Sequence, residues 1–134
     1  MQVKQIWANL AVADTERTAR FYNSLGFKPS IFSTTPELTS FLFSDSNFVI
    51  HLFRRDKLEF AMNDKSTNSE HNSEVMFSMS ANSEEDVDTW ANKAQEAGGK
   101  IVRPAGRQAD GFYYCVFADP DGHKFNVLFI EDGM

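Results

Sequence analysis

Cysteine is nearly missing from this 134-residue chain, histidine is scarce at three residues, and no apolar run approaches the ~20 residues of a membrane span. Cys115 has no partner for an intramolecular disulfide. A compact domain of this length typically buries roughly 70% of the surface its unfolded form exposes, so folding requires neither disulfides nor a structural metal. Cations are also short, with 13 Lys and Arg against 19 Asp and Glu, a formal charge of −6. Nucleic-acid binding needs a basic face that displaces condensed counterions, so nucleic acid is not an expected partner. The one basic run, Arg54-Arg55-Asp56-Lys57, reads as the start of a solvated loop. The opening MQVKQIWANLAV lacks the basic start and cleavage site of a signal peptide, so the expected location is cytoplasmic, with no membrane partner.

What the chain does have is phenylalanine, at 13 residues. So many rings suit a filled core, an aromatic-lined pocket or a sticky subunit interface. Residues 3–12 alternate, with Ile6, Ala8, Leu10 and Val12 on one face and Trp7, Asn9 and Ala11 on the other, which predicts a strand. Asp14 is placed to cap a helix that carries Phe21, Tyr22 and Leu25 on one stripe and ends at Gly26. Strands are expected over 27–33, 38–43 and 47–54, divided by Thr34-Thr35-Pro36 and Ser44-Asp45-Ser46-Asn47. The polar, Asn- and Ser-rich stretch 55–73 then reads as a mobile linker or lid.

The opening pattern returns after that stretch. A strand over 74–81 leads to the cap Ser83 and to a helix with Val87, Trp90, Ala91, Ala94 and Ala97 on one face, ending at Gly98-Gly99. Strands follow near 100–104, 112–118 and 123–130, the last two joined by Asp119-Pro120-Asp121-Gly122. One strand-helix-strand-strand-strand unit therefore occurs twice, over 3–54 and 74–130, in a single domain spanning 1–134. Neither unit can bury both faces of its sheet alone, so each must pack on another surface.

The doubled βαβββ unit, with NLAVADTERTARFYNSLGF near the start and FADPDGHKFNVLF near the end, resembles the vicinal oxygen chelate superfamily, the group of glyoxalases, bleomycin resistance proteins and extradiol dioxygenases. The resemblance implies an α+β fold in which two βαβββ repeats form an open, curved mixed-sheet barrel with helices outside, around a small-molecule cavity. It also implies a homodimer, because exposed sheet edges are commonly covered by a second subunit.

Metalloenzymes of that superfamily hold one divalent ion through four side chains on the first and last strands of each unit. The matching positions here are Trp7, His51, Met76 and Asn126. A thioether is a poor ligand for such an ion, and a neutral amide adds no charge, so no metal or other cofactor is expected. His71 falls in the polar stretch and His123 at the hairpin mouth.

If the 119–122 turn is a simple four-residue loop, Cys115 pairs with Asn126. That register puts Tyr113, Cys115 and Phe117 on the face of Asn126 and Leu128. By resemblance this is the concave face, joined by Trp7, Asn9, His51, Phe53, Met76 and Ser78. Those eleven residues form the expected ligand-binding set. Arg54 follows the cavity strand and is within reach of an anion at the rim. The expected function is binding or sequestering an unknown small molecule without metal. The alternative is a lyase, isomerase or dioxygenase-like enzyme that uses His51 as a base or a non-standard metal arrangement.

Overall fold

The computed structural model describes residues 1–131 and divides the chain into two compact units, residues 1–66 and residues 67 onward. The division falls inside the stretch expected to separate the repeats. In unit 1, β1 (Ala8–Val12) leads to α1 (Thr15–Ser24), followed by β2 (Lys28–Pro29), β3 (Leu38–Leu42), β4 (Val49–Arg54) and α2 (Arg55–Met62). In unit 2, β5 (Met76–Ser80) leads to α3 (Glu84–Glu96), β6 (Lys100–Arg107), β7 (Tyr113–Ala118) and β8 (Lys124–Phe129). Each unit holds one four-stranded mixed sheet, ordered β1-β4-β3-β2 and β5-β8-β7-β6, with β1 parallel to β4 and β5 parallel to β8. The α+β fold of two βαβββ repeats is thereby established.

Both repeat helices start where their caps predict. Asp14 accepts from the backbone N–H groups of Glu16 and Arg17 at 3.0 and 3.2 Å, and Ser83 accepts from that of Asp86 at 3.0 Å. Each such cap contributes roughly 1 kcal/mol to its helix. Helix α1 presses Phe21 and Tyr22 onto one sheet face, where Tyr22 meets the Phe41 ring at 5.7 Å beside buried Ile50 and Leu52. In unit 2, Val87, Ala91 and Ala94 of α3 are buried against β6 and β7, and Phe117 stacks on Phe125 at 5.3 Å. Each sheet thus has one helix-covered face and one open face.

Several boundaries differ from the sequence pattern. Strand β1 starts at Ala8, not residue 3, and Ala8 opposite Ile50 is the first pair of its parallel ladder with β4. Val3, Ile6 and Trp7 are accordingly exposed. The strand expected over 27–33 shortens to Lys28–Pro29. Pro29 has no N–H to extend the ladder on this edge strand, and only Ser30 continues, donating its N–H to the Ser40 carbonyl at 2.9 Å. Residues 55–62 form α2, which the sequence hides because Leu58 is its single buried residue. Asn63, in the left-handed region at φ 55°, ends that helix.

Ser66 is held by α2, its N–H and hydroxyl donating to Glu59 at 2.9 and 2.8 Å, and the part of the stretch within unit 2 is held by Lys124. Lys124 donates its ammonium to the Ser69 carbonyl at 3.0 Å, to Ser73 Oγ at 3.1 Å and to the Gly122 carbonyl. Gly122 has φ +94°, and a Cβ there would lie 2.5 Å from the Ser69 carbonyl oxygen, so the close approach requires glycine.

The β7–β8 register also corrects an expectation. Asp119 Oδ1 accepts from the N–H groups of both Asp121 (3.0 Å) and His123 (2.9 Å), which draws His123 into the turn. Lys124 then faces Ala118, Val116 faces Asn126, and Cys115 faces Val127. One added turn residue turns Tyr113, Cys115 and Phe117 away from Asn126, because side chains alternate with period two.

Candidate functional site

Three of the expected site residues are therefore core or helix-facing. Cys115 and Phe117 are fully buried, and Cys115 Sγ lies 3.9 Å from the Val87 carbonyl of α3. Burial pushes the Cys115 thiol up to about 11, against only a weaker opposing effect from the Val127 backbone, so it is not an available nucleophile at neutral pH. Tyr113 donates its hydroxyl to Asp88 Oδ1 at 2.7 Å, and that hydrogen bond, with burial, raises its pKa. Arg54 is not a free rim cation either. Its guanidinium grips Asp56 in two bonds, Nε to Oδ1 at 2.6 Å and Nη2 to Oδ2 at 3.0 Å.

The open face of unit 1 brings together the other expected residues of that unit. The Cα register aligns Asn9 with His51 and His51 with Ser40. Around the His51 ring, Trp7 stands edge-on at 6.1 Å, Phe53 at 6.0 Å and Phe32 at 5.5 Å. His51 Nδ1 lies 2.8 Å from Ser40 Oγ, and Ser30 donates its hydroxyl to the same oxygen at 2.8 Å. Burial lowers the His51 pKa from its ordinary 6.5, favouring the neutral ring near neutral pH.

A hollow of about 470 Å³ opens beside this ring, lined by Gln5, Trp7, Ser30, Ile31, Phe32, Leu42, Asn47, Val49 and His51. Its walls are mainly apolar, and His51 is the only lining residue with an ionisable side chain. Trp7 and Phe32, half exposed at 46% and 47%, together with Ile31 at 92%, keep large apolar surface uncovered here. Exposed apolar surface clustered in a concavity with a few polar groups has the character of a small-molecule site.

Sequence reasoning missed Ser30, Ile31, Phe32 and Ser40 as partners of His51. A signal for Ser40 was present. A hairpin turning between Asp45 and Ser46 sets Leu42 against Val49 and hence Ser40 against His51. No comparable signal marks Phe32, which lies beyond the last paired residue of β2.

The open face of unit 2 is built on the same plan with different chemistry. Ser78 aligns with Asn126, and Asn126 Nδ2 donates to Ser78 Oγ at 3.2 Å. Asn126 is 8% exposed, and its Oδ1 is buried with no hydrogen-bond partner among the described residues. Met76, Leu128, Val116 and Tyr114 share this face by register. A hollow of about 370 Å³ lies along it, lined by Met76, Val102, Arg103, Tyr114, Val116 and Lys124 among others. The Lys124 ammonium is committed to the three oxygens named above, so it offers no free cation there.

A model of the family described as Glyoxalase/Bleomycin resistance protein/Dioxygenase superfamily matches residues 4–127. Among solved structures, a hypothetical protein from S. aureus is 31% identical with a TM-score of 0.83, covering 97% of this chain and 96% of its own. A glyoxalase-related enzyme from Fulvimarina pelagi is 26% identical with a TM-score of 0.82, over 98% of this chain and 96% of its own. A lactoylglutathione lyase from Agrobacterium tumefaciens shares the fold, with a TM-score of 0.67 at 17% identity over 96% of each chain. No curated protein matches the chain.

Proposed function

The chain belongs to the Glyoxalase/Bleomycin resistance protein/Dioxygenase superfamily, and from that premise we propose that it binds a small, largely apolar molecule in the hollow beside His51, without a metal of the superfamily's kind. The observation that carries this reading is the lining of that hollow, aromatic and aliphatic walls around one half-buried imidazole. Indole and phenyl rings stack on flat apolar groups, and a single polar group suffices to orient them.

The side chains at the superfamily's ligand positions do not fit a divalent ion. Trp7 has no lone pair to give, Met76 offers a soft thioether, and the Asn126 amide is neutral. His51 alone is a good donor, and a useful site takes three or more N, O or S ligands. Among the described residues, no three His, Cys, Asp or Glu side chains stand together as a metal-binding group.

Among the described residues His51 is oriented by a serine hydroxyl and by no carboxylate, a partner that suits orienting a ligand better than stabilising an imidazolium during proton transfer. The test is a screen of neutral aromatic fragments by chemical-shift changes in the full chain. Binding is expected to move the Trp7 indole and His51 signals and to disappear in Trp7→Ala, while added Zn²⁺ leaves His51 unmoved. Fragments that leave unit 1 untouched, or stoichiometric Zn²⁺ uptake at His51, would reject the proposal.

A further inference from the structure

The hydroxyls behind His51 form a directed chain. Ser30 is docked on Ser40 twice, through its N–H to the Ser40 carbonyl at 2.9 Å and through its hydroxyl to Ser40 Oγ at 2.8 Å. Ser40 Oγ, already accepting from Ser30, has one proton to give, and its other side-chain hydrogen-bond partner among the described residues is His51 Nδ1 at 2.8 Å. If Nδ1 carried a proton instead, the Ser40 hydroxyl proton would be left without an acceptor in a residue only 1% exposed. An unsatisfied buried donor is strongly disfavoured. That arrangement is satisfied by a neutral ring whose proton is on Nε2.

We infer that Ser40, oriented by Ser30, is a positioning residue that holds His51 as the Nε2–H tautomer, so that the hollow offers its ligand a hydrogen-bond donor and selects neutral molecules bearing an acceptor. Ketones and heteroaromatic nitrogens have the matching chemistry. Anions do not match, because among the described residues no lysine or arginine lines the hollow. A hydrocarbon of the same shape leaves the Nε2–H without a partner and is discriminated against. The selection rests on the reading of the hollow as a ligand site, whereas the tautomer does not.

The two parts are tested apart. In the ¹⁵N-histidine-labelled 134-residue chain at about pH 8, above the ordinary imidazole value, His51 Nε2 should show the protonated, pyrrole-type shift and Nδ1 the unprotonated, pyridine-type one. Ser40→Ala should let the second tautomer appear. Ser40→Asp, whose carboxylate only accepts, should move the proton to Nδ1. A wild-type ring protonated on Nδ1 overturns the inference. The matched compounds acetophenone and ethylbenzene, with benzoate as the anion, test selection. Acetophenone should bind unit 1 about three- to tenfold more tightly than ethylbenzene, the range of one hydrogen bond, and Ser40→Asp should erase that margin. Equal binding of the pair, or tighter binding of benzoate, overturns the selection. If the tautomer is as inferred but no compound binds, the ligand reading of the hollow fails and the selection falls with it.

Discussion

Asn9, His51 and Ser40 lie side by side across the first sheet, and Ser78, Asn126 and Val116 occupy the same three places across the second. In unit 1 the third place is a hydroxyl, and the central ring finds a partner through it. In unit 2 the third place is a valine, so the central amide has only Ser78 to turn to and its Oδ1 is left unpaired. The helix-covered faces differ far less, since Phe41 and Phe117 hold equivalent positions beside these rows and both are fully buried. Duplicated architecture is thus preserved where packing against a helix demands it. Divergence is concentrated on the open faces, where single residues set the chemistry.

The largest expected effect tests the shared cores against the divergent faces. Phe41→Ala and Phe117→Ala should each cost about 3–5 kcal/mol of unfolding free energy, as loss of a buried phenyl ring generally does. Trp7→Ala, at a half-exposed position, should cost far less, at most about 1 kcal/mol, while removing a wall of the hollow. Denaturant unfolding of the three variants checks this. A Trp7→Ala loss as large as that of Phe117→Ala would mean that Trp7 is core.

A smaller effect tests the difference between the rows. Val116→Ser should supply unit 2 with the hydroxyl that unit 1 already has, placing a donor next to Asn126 Oδ1. Both Val116→Ser and Val116→Ala lose apolar contacts, yet the serine variant should be the more stable of the two by about 1 kcal/mol, the net worth of a hydrogen bond. If the alanine variant is equal or better, the lone Oδ1 is not in need of a donor from β7.

The smallest effect concerns pH. Burial holds the folded-state His51 pKa below 6.5, so the unfolded chain binds this proton more readily. The His51 contribution to stability is therefore full above about pH 6.5 and is lost as pH falls through the folded-state value. Asn126, in the matching place, does not titrate. Stability compared between wild type and His51→Gln at about pH 8 and pH 5 should show the wild type losing more on acidification. An unchanged difference would place His51 in an environment no less polar than water.

The repeat itself was legible in the sequence, as were both helix caps, their glycine stops and the approximate strands, because these features follow from alternation, 3.6-residue stripes and capping chemistry along contiguous residues. The grouping of His51, Asn9, Ser78 and Asn126 on one kind of face used the same periodicity, but which face that is came from the family resemblance. Other features depended on distant partners. Whether Trp7 belonged to a strand was decided by where the parallel β1–β4 ladder starts, at Ala8 and Ile50, and the length of β2 by a proline on an unshielded edge. The assignment of Tyr113, Cys115 and Phe117 to the helix-covered face was decided by one carboxylate. Asp119 takes His123 into the turn, and with a period of two a shift of one residue exchanges the faces of a whole strand. The docking of Ser30 onto Ser40 beside His51 came from the tertiary structure, because it joins the residue after β2 to β3 and β4 and depends on which hydroxyl proton has an acceptor within reach.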